Sequence, residues 1–173
     1  MFTTSDIEKY FNAEKQESFL FILIGIAGIA AAGIFFFFYK TNFRKGAAIP
    51  LLLIGLLMGI AGYTVYKRSD DDRIRNVYAY GMGPSQLKNK ELPRMQTVMK
   101  NFIIYRYIEI VLAIIGVTLF FYFKERADKM FWKGFGLTLT IMALIALTAD
   151  YFAEQRGKKY VTGIESFIQN NYK

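Results

Sequence analysis

The stretch FLFILIGIAGIAAAGIFFFFY, Phe19 to Tyr39, decides the fold, because it carries no charged side chain and is apolar on every face of a helix. A helix that is apolar all round must sit in lipid or in a large protein core, and a chain of 173 residues offers no core of that size. Roughly 20 such residues cross about 30 Å of hydrocarbon at 1.5 Å per residue. Residues 19–39 therefore read as a first transmembrane helix.

Working outward, three further apolar stretches have the same length and character: residues 47–66, 102–123 and 131–152. The composition agrees, since 54% of residues are apolar and 17% aromatic, above the roughly 45–50% apolar content of soluble domains. The charges are segregated into the connectors. The short links Lys40 to Gly46 and Lys124 to Met130 each predict a tight turn between consecutive spans, and a polar connector, residues 67–101, separates the two pairs. The expected fold is all-α: a single polytopic membrane domain over 1–173, with four transmembrane helices arranged as two antiparallel hairpins. Aromatic residues gather at the linked ends (Phe35 to Tyr39, Phe43, Phe120 to Phe123, Phe131 and Trp132) as an interfacial belt.

Before the first span, residues 1–18 predict a short helix lying on the membrane surface. Ser5 and Glu8 have capping-box spacing, and Ile7, Tyr10 and Phe11 follow at helical spacing. A cleaved signal peptide is not expected, because the residues ahead of the apolar stretch are acidic rather than basic. After the last span, residues 153–173 predict an interfacial tail in which Arg156, Lys158 and Lys159 precede Val161, Ile164 and Ile168.

The connector breaks at Gly81-Met82-Gly83-Pro84, which predicts a helical piece on either side. Asn89 is placed to cap the second piece, with Pro93 in its first turn. From there Glu91, Met95, Val98, Phe102, Tyr105 and Glu109 recur at three- or four-residue intervals, so the third helix is expected to project beyond the bilayer by about three turns. This stripe either packs on the other connector helix or forms a partner-docking face. Glu91, Arg94, Met95 and Val98, with the acidic run Asp70, Asp71 and Asp72, are the partner-binding candidates.

Ionisable residues inside a span are costly enough to be functional candidates. Arg106 and Glu109 lie three residues apart on one helix face and can neutralise each other. Asp150 shares their leaflet, as do Tyr63, Tyr66, Tyr105 and Tyr151, and a polar cluster of these seven is expected. In span two Gly55 and Gly59 form a small-xxx-small pair, matched by Gly25 and Gly28 in span one. They serve either packing within the first pair of helices or a homodimer.

Several function classes drop out. The chain has no cysteine and no histidine, which removes disulfides, thiolate metal sites, a cysteine nucleophile and the commonest general base. No acid–base pair is recognisable, so no enzyme is expected, nor a metal or cofactor. The net charge of +8 flanks the apolar spans, where it sets topology and meets lipid headgroups rather than nucleic acid. The dense positive charge of the short links puts them on the cytoplasmic side, and the termini and connector on the other.

The residues Pro50 to Gly55, Gly62 to Arg68, Glu91 to Met95 and Val98 to Glu109 resemble small four-span bacterial inner-membrane proteins encoded beside secreted toxins, including type VI secretion effectors. What the resemblance implies is an immunity role: a multi-pass inner-membrane protein, its connector and termini periplasmic, that binds a membrane-active toxin. Two other readings stay open, a small ion or solute transporter built on Glu109 and Arg106, and a structural subunit of a larger membrane complex.

Overall fold

The structure, a computed structural model, describes residues 2–39 and 41–171. Met1, Lys40, Tyr172 and Lys173, which belong to the expected N-terminal, link and C-terminal segments, lie outside the described residues. The chain is all-helical, with four long helices: α1 (Thr4–Phe37), α2 (Asn42–Gly81), α3 (Pro84–Tyr122) and α4 (Met130–Asn171). Each contains a stretch long and apolar enough to cross a membrane. In those stretches only 11 to 28% of residues are buried, and large apolar side chains such as Leu23, Ile26, Leu57, Ile60 and Ile114 are exposed on the helix surfaces.

The helices run past the apolar stretches at one end, as expected for α3 and for the turn at Gly81 to Pro84, while the other three helices depart from expectation. Residues 67–81 are the last turns of α2 and residues 84–101 the first turns of α3, with the chain reversing at Met82 and Gly83. Gly83 has φ of 109°, a conformation open to glycine and strained for other residues. The separate surface helix expected for 1–18 is the first part of α1, and the interfacial tail expected for 153–173 is the last part of α4. All four helices project, not the third alone.

The physical reason is a shared core. Ile7 and Ile164 are fully buried, and they pack with Phe2, Phe11, Leu87, Met95, Tyr160 and Ile168. Tyr10 stacks on Tyr160 with ring centroids 4.1 Å apart, and Tyr80 stacks on Phe167 at 4.5 Å. The apolar faces read as headgroup-facing are satisfied by one another. The product is an outer four-helix bundle that, at 1.5 Å per residue, extends about 20 to 30 Å beyond the apolar segments.

Local details also shift. The cap of α1 is Thr3 with Asp6, not Ser5 with Glu8: the Asp6 carboxylate accepts from the Thr3 N–H and hydroxyl, each at 2.9 Å, and these bonds hold its pKa below the usual value. α3 starts at Pro84, so Asn89 is not a cap; it sits in a π-turn, Leu87–Glu91. Pro93 lies two residues past the end of that turn. A proline lacks the N–H for the regular helical bond, and a π-turn is one of the ways a continuous helix accommodates the break. The first link is shorter than expected, since α2 begins at Asn42 and Thr41 caps it by accepting from the Arg44 N–H.

Glycines set the helix approaches. A Cβ on Gly25 would stand 2.6 Å from the Gly55 carbonyl oxygen and 2.8 Å from the Gly59 nitrogen, and one on Gly28 would stand 3.2 Å from the Leu51 oxygen. The groove of Gly55 and Gly59 is thus filled by α1 of the same chain. Two further contacts of this kind were not anticipated. Gly116 of α3 meets Gly136 and Thr140 of α4, and Gly46 and Gly134 bring α2 and α4 together against the Phe131 and Phe43 carbonyls. α2 and α4 are therefore joined at the linked end and again in the outer bundle.

Candidate functional site

Between the apolar segments and the outer core lies a layer of charges drawn from all four helices. Arg94 of α3 grips Glu91 through two bonds of 2.8 and 2.6 Å and reaches Asp72 of α2 at 4.0 Å. Arg75 also holds Asp72, at 2.7 Å, and Arg68 approaches it at 3.8 Å. Glu14 of α1 accepts from the Ser69 hydroxyl at 3.2 Å. Burial holds its carboxyl above the usual pKa, against the pull of Arg68 and Arg94. Lys15 pairs with Asp70, Glu17 with Arg156, and Arg106 with Glu154. The Lys15–Asp70 hydrogen bond raises the lysine and lowers the carboxyl.

This arrangement reassigns the partner-binding candidates. Glu91 and Met95 are 2% and 0% exposed, and Asp72 is buried, so the stripe of α3 is used up inside the bundle and Val98 is half-buried beside it. Arg94 and Asp70 are engaged in ion pairs, and Asp71 alone of the acidic run is both exposed and outside the network. The surface left open is on α2. Ile74, Tyr78 and Met82, at 64, 69 and 58% exposure, recur every four residues along one face, about 12 to 24 Å beyond Tyr66 by helical rise. Tyr78 and Met82 line a cavity of about 430 Å³ between α2 and α3, whose polar rim includes Arg75, Gln86 and Lys90.

The expected seven-residue polar cluster forms only in part. Arg106 turns to Glu154, which is buried and also held by Lys158 at 2.8 Å, so Arg106 and Glu109 do not neutralise each other as a pair. Glu109 faces Asp150 across the α3–α4 contact, and the buried Glu109 Oε2 has no hydrogen-bond partner. Tyr63, Tyr66 and Tyr151 are exposed and stand apart from this pair, Tyr66 under the Lys15 ammonium. Tyr105 is exposed as well but borders a crevice.

That crevice exists because α3 stands away from the first two helices. Along residues 92–122 no Cα of α3 comes within 8 Å of α1 or α2, and α4 bridges the two sides. The space left has a volume of about 430 Å³. Its outer wall is polar, with Tyr10, Glu14, Glu17, Arg68 and Arg156; its inner wall is apolar, with Phe21, Gly62, Val65 and Phe102; and Asp150 lies between. The Arg156 Nε is buried without a partner, and burial lowers the pKa of that guanidinium.

Sequence reasoning missed Glu14, Glu17 and Glu154. Glu14 and Glu17 lie within one to two turns of Phe19, and Glu154 follows Asp150 by one turn, a spacing that signals carboxylates clustered at a helix's apolar boundary. Among the described residues no group of three or more Asp and Glu side chains is arranged to hold a metal ion. No protein-family model matches the chain, and no curated protein or solved structure shows significant similarity to it.

Proposed function

We propose that the chain is a multi-pass bacterial inner-membrane protein that acts by binding, without catalysis, as an immunity protein against a membrane-active secreted toxin. The four apolar segments cross the bilayer as two antiparallel hairpins, and the outer bundle stands on the periplasmic side. The registers of α1 on α2 (Gly25 opposite Gly55 and Gly59, Lys15 opposite Asp70) and of α3 on α4 (Gly116 opposite Gly136, Arg106 opposite Glu154) support the antiparallel arrangement.

One observation carries the binding role: the water-facing stripe Ile74, Tyr78 and Met82. Apolar side chains grouped on one face and ringed by Arg75, Gln86 and Lys90 are the composition of a docking surface, in which an aromatic and its apolar neighbours anchor and the polar rim orients. The test is a protection assay against the secreted proteins encoded next to this gene, paired with co-purification. Tyr78→Ala with Ile74→Asp is expected to abolish protection and weaken binding by at least about thirtyfold, the effect of losing an interface hot spot, while leaving the protein folded. Full protection by the double variant, or no harm to cells lacking the gene from any neighbouring secreted protein, overturns the proposal.

The facing carboxyls Glu109 and Asp150 favour a second reading, a small proton- or cation-coupled transporter. In liposomes Glu109→Gln would abolish ion-coupled flux; equal flux in the variant, or none in the intact protein, removes this reading.

A further inference from the structure

The crevice between the two pairs of helices crosses all four boundaries between charged and apolar sequence. Its lining runs across Ser18 to Phe21 on α1, Val65 to Arg68 on α2, Asn101 to Phe102 on α3 and Asp150 to Ala153 on α4. Four independent helices thus present the same gradient at the same height, charge on the outer side and hydrocarbon on the inner side. A molecule that matches it has a polar head and an apolar tail oriented along the helices.

The polar wall also specifies the head. It carries both signs, the Arg68 and Arg156 guanidiniums and the Glu14 and Glu17 carboxyls. Arg156 is served on one side by Glu17, while its Nε, buried, has no acceptor. A phosphate beside Arg156 supplies that acceptor through a charge-assisted bond. Glu14 and Glu17 face the same space as acceptors, and a primary ammonium group offers them donors. A purely anionic head would satisfy the arginines and be repelled by the carboxyls. The volume, about 430 Å³, is that of a small-molecule site, and with no close backbone contact between α1 and α3 an acyl chain can leave sideways.

We propose that this crevice is a binding site for one zwitterionic aminophospholipid of the phosphatidylethanolamine type, its phosphate on Arg156 and Arg68, its ammonium toward Glu14 and Glu17, and one acyl chain along Phe21, Val65 and Phe102. The site rests on the reading that the apolar segments lie in a bilayer and goes beyond the docking proposal. It makes the lipid a bridge between α3 and the first two helices along residues 92–122, where the backbones otherwise come together only through α4.

The experiment reconstitutes the full chain into nanodiscs of equal parts phosphatidylethanolamine, phosphatidylglycerol and phosphatidylcholine, releases it, and reads the retained lipid by native mass spectrometry. The expected result is one phosphatidylethanolamine per chain, enriched over the bulk mixture. Arg156→Gln should reduce the enrichment about tenfold, the effect of one charge-assisted hydrogen bond. Ala153→Phe, which fills the crevice without touching its charges, should abolish it. Soluble glycerophosphoethanolamine should not displace the lipid, since the tail contributes to binding. Retained lipid of bulk composition, enrichment of phosphatidylglycerol instead, or unchanged enrichment in folded Ala153→Phe overturns the site. Failure of the chain to enter nanodiscs at all would overturn the membrane reading itself.

Discussion

Phe11→Ala asks whether the outer bundle is one cooperative unit. Phe11 is 1% exposed; its ring lies edge-on to Tyr10 at 5.1 Å and to Tyr160 at 5.8 Å, with the Arg94 guanidinium 5.7 Å from its centroid. Truncating a buried phenylalanine costs about 3–5 kcal/mol, the loss of transfer energy plus the cavity left behind. If residues 4–18, 67–101 and 153–171 open together, that loss raises the open population by roughly two to three and a half orders of magnitude. Hydrogen–deuterium exchange of the protein in nanodiscs should then show faster exchange not only around residue 11 but also over residues 87–99 of α3 and 157–168 of α4, with residues 20–34 unchanged. Acceleration confined to residues 8–14 would refute the reasoning and restore the independent surface helix that the sequence suggested.

Three further predictions follow from the geometry. Gly25→Ala should destabilise the α1–α2 contact by about 1–3 kcal/mol because its Cβ meets backbone, whereas Gly59→Ala, with nothing within 4 Å of its Cβ, should be close to neutral in thermal melts in detergent; equal effects would contradict the register. Burial raises the Glu14 pKa on folding, so its favourable contribution is complete below the unfolded value near 4.5 and is lost as pH rises through the folded value; Glu14→Gln should flatten that part of the stability profile and leave the protein at least as stable at pH 7, and a loss at pH 7 would show that the ionised form is favoured. Arg94→Met should destabilise by about 3–5 kcal/mol by stranding buried Glu91, and Arg94→Met with Glu91→Leu should recover most of the loss; no recovery would place the effect in packing rather than charge.

The apolar helices were legible because a segment apolar on every face needs no periodicity to be found: Phe19 to Tyr39 is identified by length and composition alone. The break at Gly81 to Pro84 was legible for an equally local reason, the conformation that Gly83 adopts. The outer bundle was not. Residues 67–81 contribute Ser69, Asp72 and Asn76 to the interior, spaced three and four residues apart as core positions are, but polar. A reading that seeks apolar periodicity passes over a buried polar face in which Arg68, Arg75 and Arg94 satisfy Asp72, the Asn76 amide donates to the Asp72 carbonyl, and Ser69 donates to Glu14. Glu154 escaped recognition as a buried position for the same reason, whereas Glu91 belongs to the α3 stripe for which packing was one of the two readings. Arg106 was assigned to Glu109 because the two share a helix face three residues apart; its partner Glu154 belongs to another helix, and only the fold supplies that pairing. Ile74, Tyr78 and Met82 have helical spacing in the sequence, but their exposure depends on which face of α2 the helices α1 and α4 cover.

Four crossings with the outer bundle gathered on one side of the membrane can be read by single-cysteine labelling, which the cysteine-free chain permits without a background. Cysteines placed one at a time at the exposed positions Ser5, Ser85, Ser166 and Glu125 would be treated with a membrane-impermeant thiol reagent on spheroplasts, leaving the cytoplasmic membrane intact. Labelling is expected at 5, 85 and 166, and protection at 125 until the membrane is opened. Labelling of 85 and 125 from the same side, or of 5 and 166 from opposite sides, would contradict this topology.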